Sequence, residues 1–196
     1  MNHELVYPLD LSNTFELLLP DFDVYKKEFG EAGVGSRTYP IDILAPECRN
    51  WMGIPWDYIL MFYKSDGFRP KFAHTDSDNP MSNNVWGINF HLGGSGLLEL
   101  YRHEDVAQRG VMSTHRNGLP SGGLDYIINE PPIKSYYMPE GAYLVINSLP
   151  HRATGYDKRF CVSLRSKAMY NREPKEIIEI FKDFIIDKPL LTKKPD

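Results

Sequence analysis

Hydrophobic residues recur with two different periods along this chain. In residues 13–29 they are spaced three or four apart, which predicts helical turns interrupted at Pro20. From Trp56 onward they form short runs of branched and aromatic residues, separated by Gly, Pro, Asn and Asp, as in extended strands. The predicted strands cover residues 56–63, a run that ends at Asp76, and residues 85–92, 97–102, 124–128, 142–147 and 159–165.

Several short strands with turns between them favour a β sandwich, barrel or jelly roll over βαβ units. Near the C-terminus the period changes back, because Asn171 and Pro174 precede an apolar stripe that is typical of an amphipathic helix packed on the outer face. We therefore expect a mainly β single domain over residues 1–196. Its parts are a helical flank (1–55), the β core (56–168), and a C-terminal helix and tail (169–196).

Length and composition exclude several classes of protein. The chain has 196 residues, 42% hydrophobic and 24% charged, which is ordinary for one packed globular domain. Its apolar runs fall far short of the ~20 residues of a membrane span, so we expect no membrane association. Residues 1–10 lack the basic region and apolar core of a secretory signal, which predicts a cytoplasmic protein. The net charge of −4 argues against nucleic-acid binding, and the oligomeric state stays open.

Candidate chemistry begins with His74 and Asp76, which end an extended run. Residues two apart in a strand project from the same face, so both side chains can reach one point. His151 follows the predicted strand 142–147 and is the candidate third ligand. Two imidazoles and one carboxylate on adjoining strands would form the facial triad that binds iron(II) and leaves positions open.

Each of these residues also has a simpler interpretation. A His-x-Asp pair is common by chance, and His151 taken alone could be a turn histidine bonded to a backbone carbonyl. The sequence after His151 favours the metal site, because a tight turn leads from it to a strand over residues 159–165 with an arginine at each end.

The order of these features resembles the Fe(II)/2-oxoglutarate-dependent oxygenases: a strand ending in His-x-Asp, a β hairpin, then a His followed by a strand with a basic residue. The resemblance covers roughly residues 56–165 and implies a double-stranded β-helix of the jelly-roll type with flanking helices. Within this family the chain is partly similar to the prolyl hydroxylase-like members and to the aspartyl/asparaginyl β-hydroxylases. In the latter an Arg-x-His-Leu pattern contacts the keto acid, whereas this chain has Asn89-Phe90-His91-Leu92 and retains the carboxylate ligand Asp76.

The resemblance implies an oxidoreductase, a dioxygenase that uses iron(II), dioxygen and 2-oxoglutarate to hydroxylate a small molecule or a side chain of a peptide or protein. A guanidinium suits the distal carboxylate of the keto acid. Arg159 is the first candidate because it begins its strand close to His151, and Arg165 is the second. Asn89 and His91 are candidate contacts to the bound keto acid, although His91 could equally be a core histidine satisfied by the backbone.

Two other classes of protein share this architecture. A cupin-like metal protein usually has two histidines one residue apart plus a glutamate, whereas Asp76 stands here in place of the second histidine. A non-catalytic jelly-roll binding module would carry the three polar residues by coincidence. Two segments also have local predictions: residues 93–96 as a hairpin turn rather than a phosphate cradle, and residues 103–123 as a long loop over the barrel mouth.

Overall fold

The structure is a computed structural model that describes residues 5–12, 27, 35–43, 46–64, 66–76, 85–111, 124–147 and 149–195. Within these ranges no helix is long and apolar enough to cross a membrane. The predicted helical turns over residues 13–29 lie outside the described residues except for Lys27, which is helical.

Two antiparallel sheets, each with six strands among the described residues, face one another. Sheet A has the strand order β1-β10-β5-β12-β3-β2. These strands are β1 (Val6–Leu9), β2 (Gly35–Pro40), β3 (Tyr58–Lys64), β5 (Val85–Gly93), β10 (Gly141–Asn147) and β12 (Arg159–Arg165). Sheet B has the order β7-β8-β4-β11-β6-β9. Its strands are β4 (Phe72–His74), β6 (Gly96–Leu100), β7 (Val106–Val111), β8 (Leu124–Ile128), β9 (Lys134–Met138) and β11 (His151–Ala153).

The chain passes repeatedly from one sheet to the other, which makes this a double-stranded β-helix. Strands β3, β5, β10 and β12 form the centre of sheet A, and their sequence partners β4, β6, β9 and β11 lie in sheet B. The prediction of a mainly β jelly roll is confirmed. Strands β8, β5, β10 and β12 also match their predicted bounds to within a residue at each end.

The hydrophobic residues of sheet A face in two directions because strand side chains alternate. On β3 the core residues Ile59 and Met61 point away from sheet B and pack with Val162 of β12. Helix α2 (Pro174–Phe181) covers this outer face, where its Ile177 and Phe181 are fully buried. The predicted C-terminal helix is therefore present, and its N-cap residue is Glu173, in a capping box with Glu176.

The N-terminal flank differs from its prediction. Residues 1–55 were expected to be helical, but β1 and β2 supply the two edges of sheet A. Among the described residues from 28 to 55, only α1 (Pro46–Arg49) and two short 3-10 turns (Ile41–Ile43 and Trp51–Gly53) are helical. The strands escaped the sequence pattern because each is short, and β1 has a proline in its middle, which is typical of an edge strand.

Two predicted loops are also corrected. Residues 103–123 contain a 3-10 turn (His103–Asp105) and β7, which pairs with β8 at the edge of sheet B, while residues 112–123 lie outside the described part. Residues 93–96 do not form a hairpin, because they carry the chain from β5 in sheet A to β6 in sheet B.

We expect Gly96→Ala to destabilise the fold while Gly93→Ala does not. A Cβ on Gly96 would lie 1.9 Å from the carbonyl oxygen of Thr154, whereas a Cβ on Gly93 would meet nothing within 4 Å. Because the obstacle is backbone, the loss should be at least the ~1–3 kcal/mol typical of overpacking. Urea unfolding of both variants tests this. Equal unfolding midpoints would contradict the close approach of Gly96 to the carbonyl oxygen of Thr154.

Candidate metal centre

A cavity of about 320 Å³ lies between the two sheets. Its walls are the inward side chains of alternate residues, so on β3 the residues Tyr58, Leu60, Phe62 and Lys64 line it. The wall is mostly apolar. Its polar lining residues are Lys64, His74, Thr75, Asp76, Asn89, Asp125, Asn147, His151, Arg159 and Arg165.

The three predicted metal ligands meet on the sheet B side of this cavity. His74 ends β4, Asp76 follows two residues later, and His151 begins β11 directly opposite His74 in the β4–β11 register. One ligand atom from each lies within 4.8 Å of the other two. Asp76 Oδ1 is 3.5 Å from the Nε2 atoms of both histidines. That separation suits one shared ion, because two metal–ligand bonds of ~2.1 Å together span up to ~4.2 Å.

The position of His151 corrects one part of the prediction. The sequence placed it at the end of the strand over residues 142–147, but it begins a separate strand in the other sheet. Strand β11 has only three residues, so it carries no periodic signal of its own. The sheet pairing of β11 with β4, rather than proximity along the chain, brings His151 to His74.

The carboxylate of Asp76 is held in one orientation by two side chains. Its Oδ2 forms an ion pair with Arg165 Nη1 at 3.1 Å and accepts a hydrogen bond from Asn147 Nδ2 at 2.5 Å. Oδ1 is then the atom that faces the two imidazoles. Supporting contacts of this kind orient a ligand group before an ion arrives. Asn147 was missed by sequence reasoning, because it ends an apolar strand and belongs to no motif.

The ring of His151 is oriented in the same manner. Its Nδ1 lies 3.0 Å from the carbonyl oxygen of Leu149. Since a carbonyl only accepts, Nδ1 carries a proton, and the ring places Nε2 toward Asp76 Oδ1. A metal ion bound through Nε2 would need the ring in this orientation.

The protonation states also suit a cation. Burial raises the pKa of Asp76, but the charge of Arg165 and then that of His151 outweigh burial and hold this pKa well below its usual value. Burial and the neighbouring His151 lower the pKa of His74. At neutral pH the cluster is therefore one carboxylate with a neutral His74, a donor set that suits a divalent transition metal such as iron(II).

Arg165 has a different place from the one predicted. The sequence ranked it second to Arg159 because it lies six residues further along the strand. In the structure its guanidinium pairs directly with Asp76, and its Nε donates to Ser163 Oγ at 2.8 Å. Distance along the chain from His151 does not predict proximity here, because β12 runs along the cavity and its far end, rather than its beginning, reaches the metal ligands.

Arg159 lines the same cavity and is 2% exposed. Its Nη1 donates to the carbonyl oxygen of Thr154 at 3.1 Å, and its Nη2 donates to His91 Nε2 at 2.9 Å. Its Nε is buried and has no hydrogen-bond partner in the described part of the chain. The structure pairs this guanidinium with no carboxylate among the described residues, which leaves a buried positive charge uncompensated.

The two remaining candidates lie on β5. Asn89 lines the cavity, and its buried Oδ1 has no partner among the described residues, so it is available to a ligand. His91 does not line the cavity. Its Nε2 accepts from Arg159, and its Nδ1 lies 3.4 Å from the carbonyl oxygen of Met138. The structure therefore favours the other interpretation of His91, a core histidine whose two ring nitrogens have hydrogen-bond partners. The ring lies behind Arg159, away from the cavity.

One wall of the cavity is fixed by a buried ion cluster on the opposite side of sheet B. Glu99 is 3% exposed and accepts from Arg152 Nε at 2.5 Å, from Arg69 Nη2 at 3.0 Å and from Tyr101. Arg152 also donates to the carbonyl oxygen of Pro70, a lining residue. The cluster therefore ties the β3–β4 connection to sheet B.

We expect Glu99→Ala to lower the free energy of unfolding by about 3–5 kcal/mol, because it leaves the Arg152 charge buried without its partner. The control is Glu179→Ala, which breaks an exposed pair with Lys182 and should cost at most ~1 kcal/mol. Chemical denaturation measures both. Similar small losses in the two variants would show that the Glu99 cluster contributes little.

Comparison with known proteins adds little to this geometry. The chain matches no family model and no curated protein. Among solved structures, E. coli ycfD aligns with 91% of this chain and 53% of its own, at 12% identity and a TM-score of 0.47. The DMSP lyase DddQ from Ruegeria pomeroyi DSS-3 aligns with 57% of this chain and 39% of its own, at 18% identity and a TM-score of 0.23.

The chain thus spans about half the length of ycfD and less of DddQ. Both scores are too low to carry an argument about activity. The strand topology and the cluster of His74, Asp76 and His151 are observed directly in this structure. They show a mainly β jelly-roll protein with residues that could hold a metal ion between its sheets.

Proposed function

We propose that this chain is an iron(II)- and 2-oxoglutarate-dependent oxygenase, with His74, Asp76 and His151 as the metal ligands. The observation that carries the proposal is the coexistence, in one cavity, of a three-ligand cluster and the uncompensated guanidinium of Arg159. A metal site alone would suit many chemistries. A metal site that shares an apolar cavity with a buried cation suits a ligand that chelates through one end and carries a carboxylate at the other.

The chemistry that iron supplies in such a site is activation of dioxygen, coupled to oxidative decarboxylation of the keto acid to succinate. Three protein ligands leave coordination positions for small molecules, as this chemistry requires. The residues of the chain have the simpler tasks of binding and orientation. Arg165 and Asn147 hold Asp76 in place, and the Leu149 carbonyl orients the ring of His151.

Arg159 would pair with the distal carboxylate of 2-oxoglutarate, and Asn89 would hydrogen-bond the same ligand. The apolar lining excludes water from the space around them, which strengthens both interactions. The substrate to be oxidised would enter through the open side of the cavity, and it is a small molecule or a side chain of a peptide or protein.

Uncoupled turnover tests the proposal without knowledge of the substrate. Purified protein supplied with iron(II), 2-oxoglutarate, dioxygen and ascorbate should form succinate slowly, with equal consumption of keto acid and dioxygen, because ascorbate supplies the two electrons that the substrate would otherwise give. Omission of iron(II) or of dioxygen should stop it. If the protein binds iron(II) but forms no succinate and shows no affinity for 2-oxoglutarate, the oxygenase proposal fails and a cupin-like metal protein becomes the better account. Failure to bind any metal would favour the non-catalytic binding module.

A further inference from the structure

The inner face of sheet B is open to solvent next to the metal cluster. On β8 the residues Asp125 and Ile127 project from the same face, because they are two apart in a strand. Asp125 lines the cavity, whereas Ile127 lies outside its walls and is 45% exposed. Ala107, which pairs with Ile127 from β7, is exposed as well. A substrate that enters the cavity from this side therefore passes the carboxylate of Asp125.

The carboxylate of Asp125 is unpaired at this entrance. In the β4–β8 register Asp125 lies directly opposite His74, and the Cβ atoms of such a pair are about 5 Å apart. Asp125 is not part of the metal cluster. Its side chain forms no hydrogen bond and no ion pair with the residues that the structure describes. A molecule that fills the entrance removes water from this carboxylate, and a hydrogen-bond donor, best a cation, offsets that cost.

A second acceptor without a partner lies beside the other end of the metal cluster. Asn147 is 6% exposed, lines the cavity and uses its Nδ2 to donate to Asp76. The remaining atom of the amide, Oδ1, is buried and accepts from none of the described residues. The cluster is thus flanked by Asp125 and Asn147, two acceptors that a ligand with donor groups would satisfy.

Opposite charges in the cavity are separated between the two sheets. Arg159 and Lys64, which pair across β12 and β3, belong to sheet A. Asp125 belongs to sheet B, where its diagonal neighbour across β4 is the lining residue Phe72. An aromatic ring beside a carboxylate suits a cation, because the ring face attracts positive charge and packs against an alkyl stem. The sheet A end therefore suits an anion, and the entrance suits a cation.

We propose that Asp125 binds a positively charged nitrogen of the substrate, which makes the substrate an alkylamine, either free or as a lysine side chain of a peptide. The assignment of this site to the substrate rests on the proposed function. Asn147 Oδ1 would accept a hydrogen bond from another donor of the same molecule. A neutral analogue would leave Asp125 covered and unpaired, and a site with such groups rejects analogues that lack the matching donor.

The experiment is proton NMR of small probes added to the protein loaded with manganese(II) and 2-oxoglutarate. Manganese(II) broadens the signals of a probe bound near it, and the protein loaded with zinc(II) is the diamagnetic reference. Pentylamine represents a free amine, and N-acetyl-lysine methylamide represents a peptide side chain. Their neutral counterparts are pentanol and N-acetyl-norleucine methylamide. Titration of each probe gives its Kd.

The variants separate the charge of Asp125 from its shape. Asp125→Asn keeps the shape and loses the charge, whereas Asp125→Glu keeps the charge. Glu130→Gln is the matched control, because it removes an exposed carboxylate that lies outside the cavity just after the same strand. Thermal unfolding of each variant reports whether the fold is retained.

We expect at least one of the two amines to bind the wild type more tightly than its neutral counterpart. Asp125→Asn should weaken this amine binding roughly tenfold or more, the value of a hydrogen bond between charged groups. Asp125→Glu should keep the preference for the amine, and Glu130→Gln should match the wild type. The neutral probes should bind all four proteins alike. Tighter binding of pentylamine would identify a free amine as the substrate, and tighter binding of the lysine derivative a peptide side chain.

Two results would overturn the substrate class. One is that neither amine binds more tightly than its neutral counterpart. The other is that folded Asp125→Asn binds the amines as the wild type does, which would mean that they contact the metal or another residue. Calorimetric titration of the same manganese-loaded protein with 2-oxoglutarate separates this proposal from the proposed function. Amine binding that depends on Asp125, without any affinity for 2-oxoglutarate, would leave the cation site standing and remove the oxygenase.

Discussion

Asp76→Ala is expected to abolish succinate formation from 2-oxoglutarate and to lower the affinity for iron(II) by more than ~100-fold. The change removes Oδ1, the atom that faces both histidines at 3.5 Å. Loss of a supporting contact around a metal ligand already costs 10–100-fold in metal affinity, so loss of a ligand itself should exceed that range. Metal affinity is measured by competition with a chelator, and turnover by succinate formation.

The same variant leaves the buried guanidinium of Arg165 without its anion. Breaking such a pair costs up to ~3–5 kcal/mol, so the stability of the variant must be measured as well. Asp76→Asn is the second variant, because it keeps the shape and an acceptor for Arg165 while removing the charge. Asp125→Ala is the matched control, since Asp125 lines the same cavity opposite His74 but is not part of the cluster. Normal iron affinity in folded Asp76→Ala would remove Asp76 from the metal site.

The two arginines of β12 are expected to fail in different ways. Arg159→Ala should raise the KM for 2-oxoglutarate by roughly 30-fold or more, the effect of losing at least ~2 kcal/mol from a buried charge pair, with little change in iron affinity. Arg165→Ala should instead weaken iron binding, because Arg165 holds Asp76 Oδ2 at 3.1 Å. Initial rates at varied 2-oxoglutarate and at varied iron(II) separate the two effects.

Conservative replacement makes this comparison stricter. Arg159→Lys keeps the charge but loses the planar fork that reaches Thr154 and His91 together. Its KM for 2-oxoglutarate should lie between those of the wild type and Arg159→Ala. The reverse pattern, in which Arg165→Ala raises the KM for 2-oxoglutarate and Arg159→Ala has no effect, would show that Arg165 binds the co-substrate.

The sequence predicts the long central strands well. Strands β5 and β12 are central in sheet A, where nearly every side chain is buried, and their bounds follow from runs of branched and aromatic residues. His74 and Asp76 were placed on one face by parity alone. The short strands β1, β2 and β11 were missed, because three to six residues with prolines or polar side chains carry no periodic signal.

Contacts between distant strands could not be read from the chain. The register of β12 against β3 places Lys64 opposite Arg159, a pairing that the sequence of neither strand indicates. The pairing of Arg165 with Asp76 likewise depends on how the two sheets face each other. His91 could be placed on the inner face of β5, but its role depends on Arg159, which lies in front of it.

Anaerobic addition of 2-oxoglutarate to the iron(II)-loaded protein tests the central claim most directly. A keto acid that chelates iron(II) gives a visible charge-transfer absorption. We predict that this band appears in the wild type, saturates at one keto acid per protein, needs a higher 2-oxoglutarate concentration in Arg159→Ala, and is absent in Asp76→Ala. Iron(II) bound to the wild type without any such band at saturating 2-oxoglutarate would contradict the account.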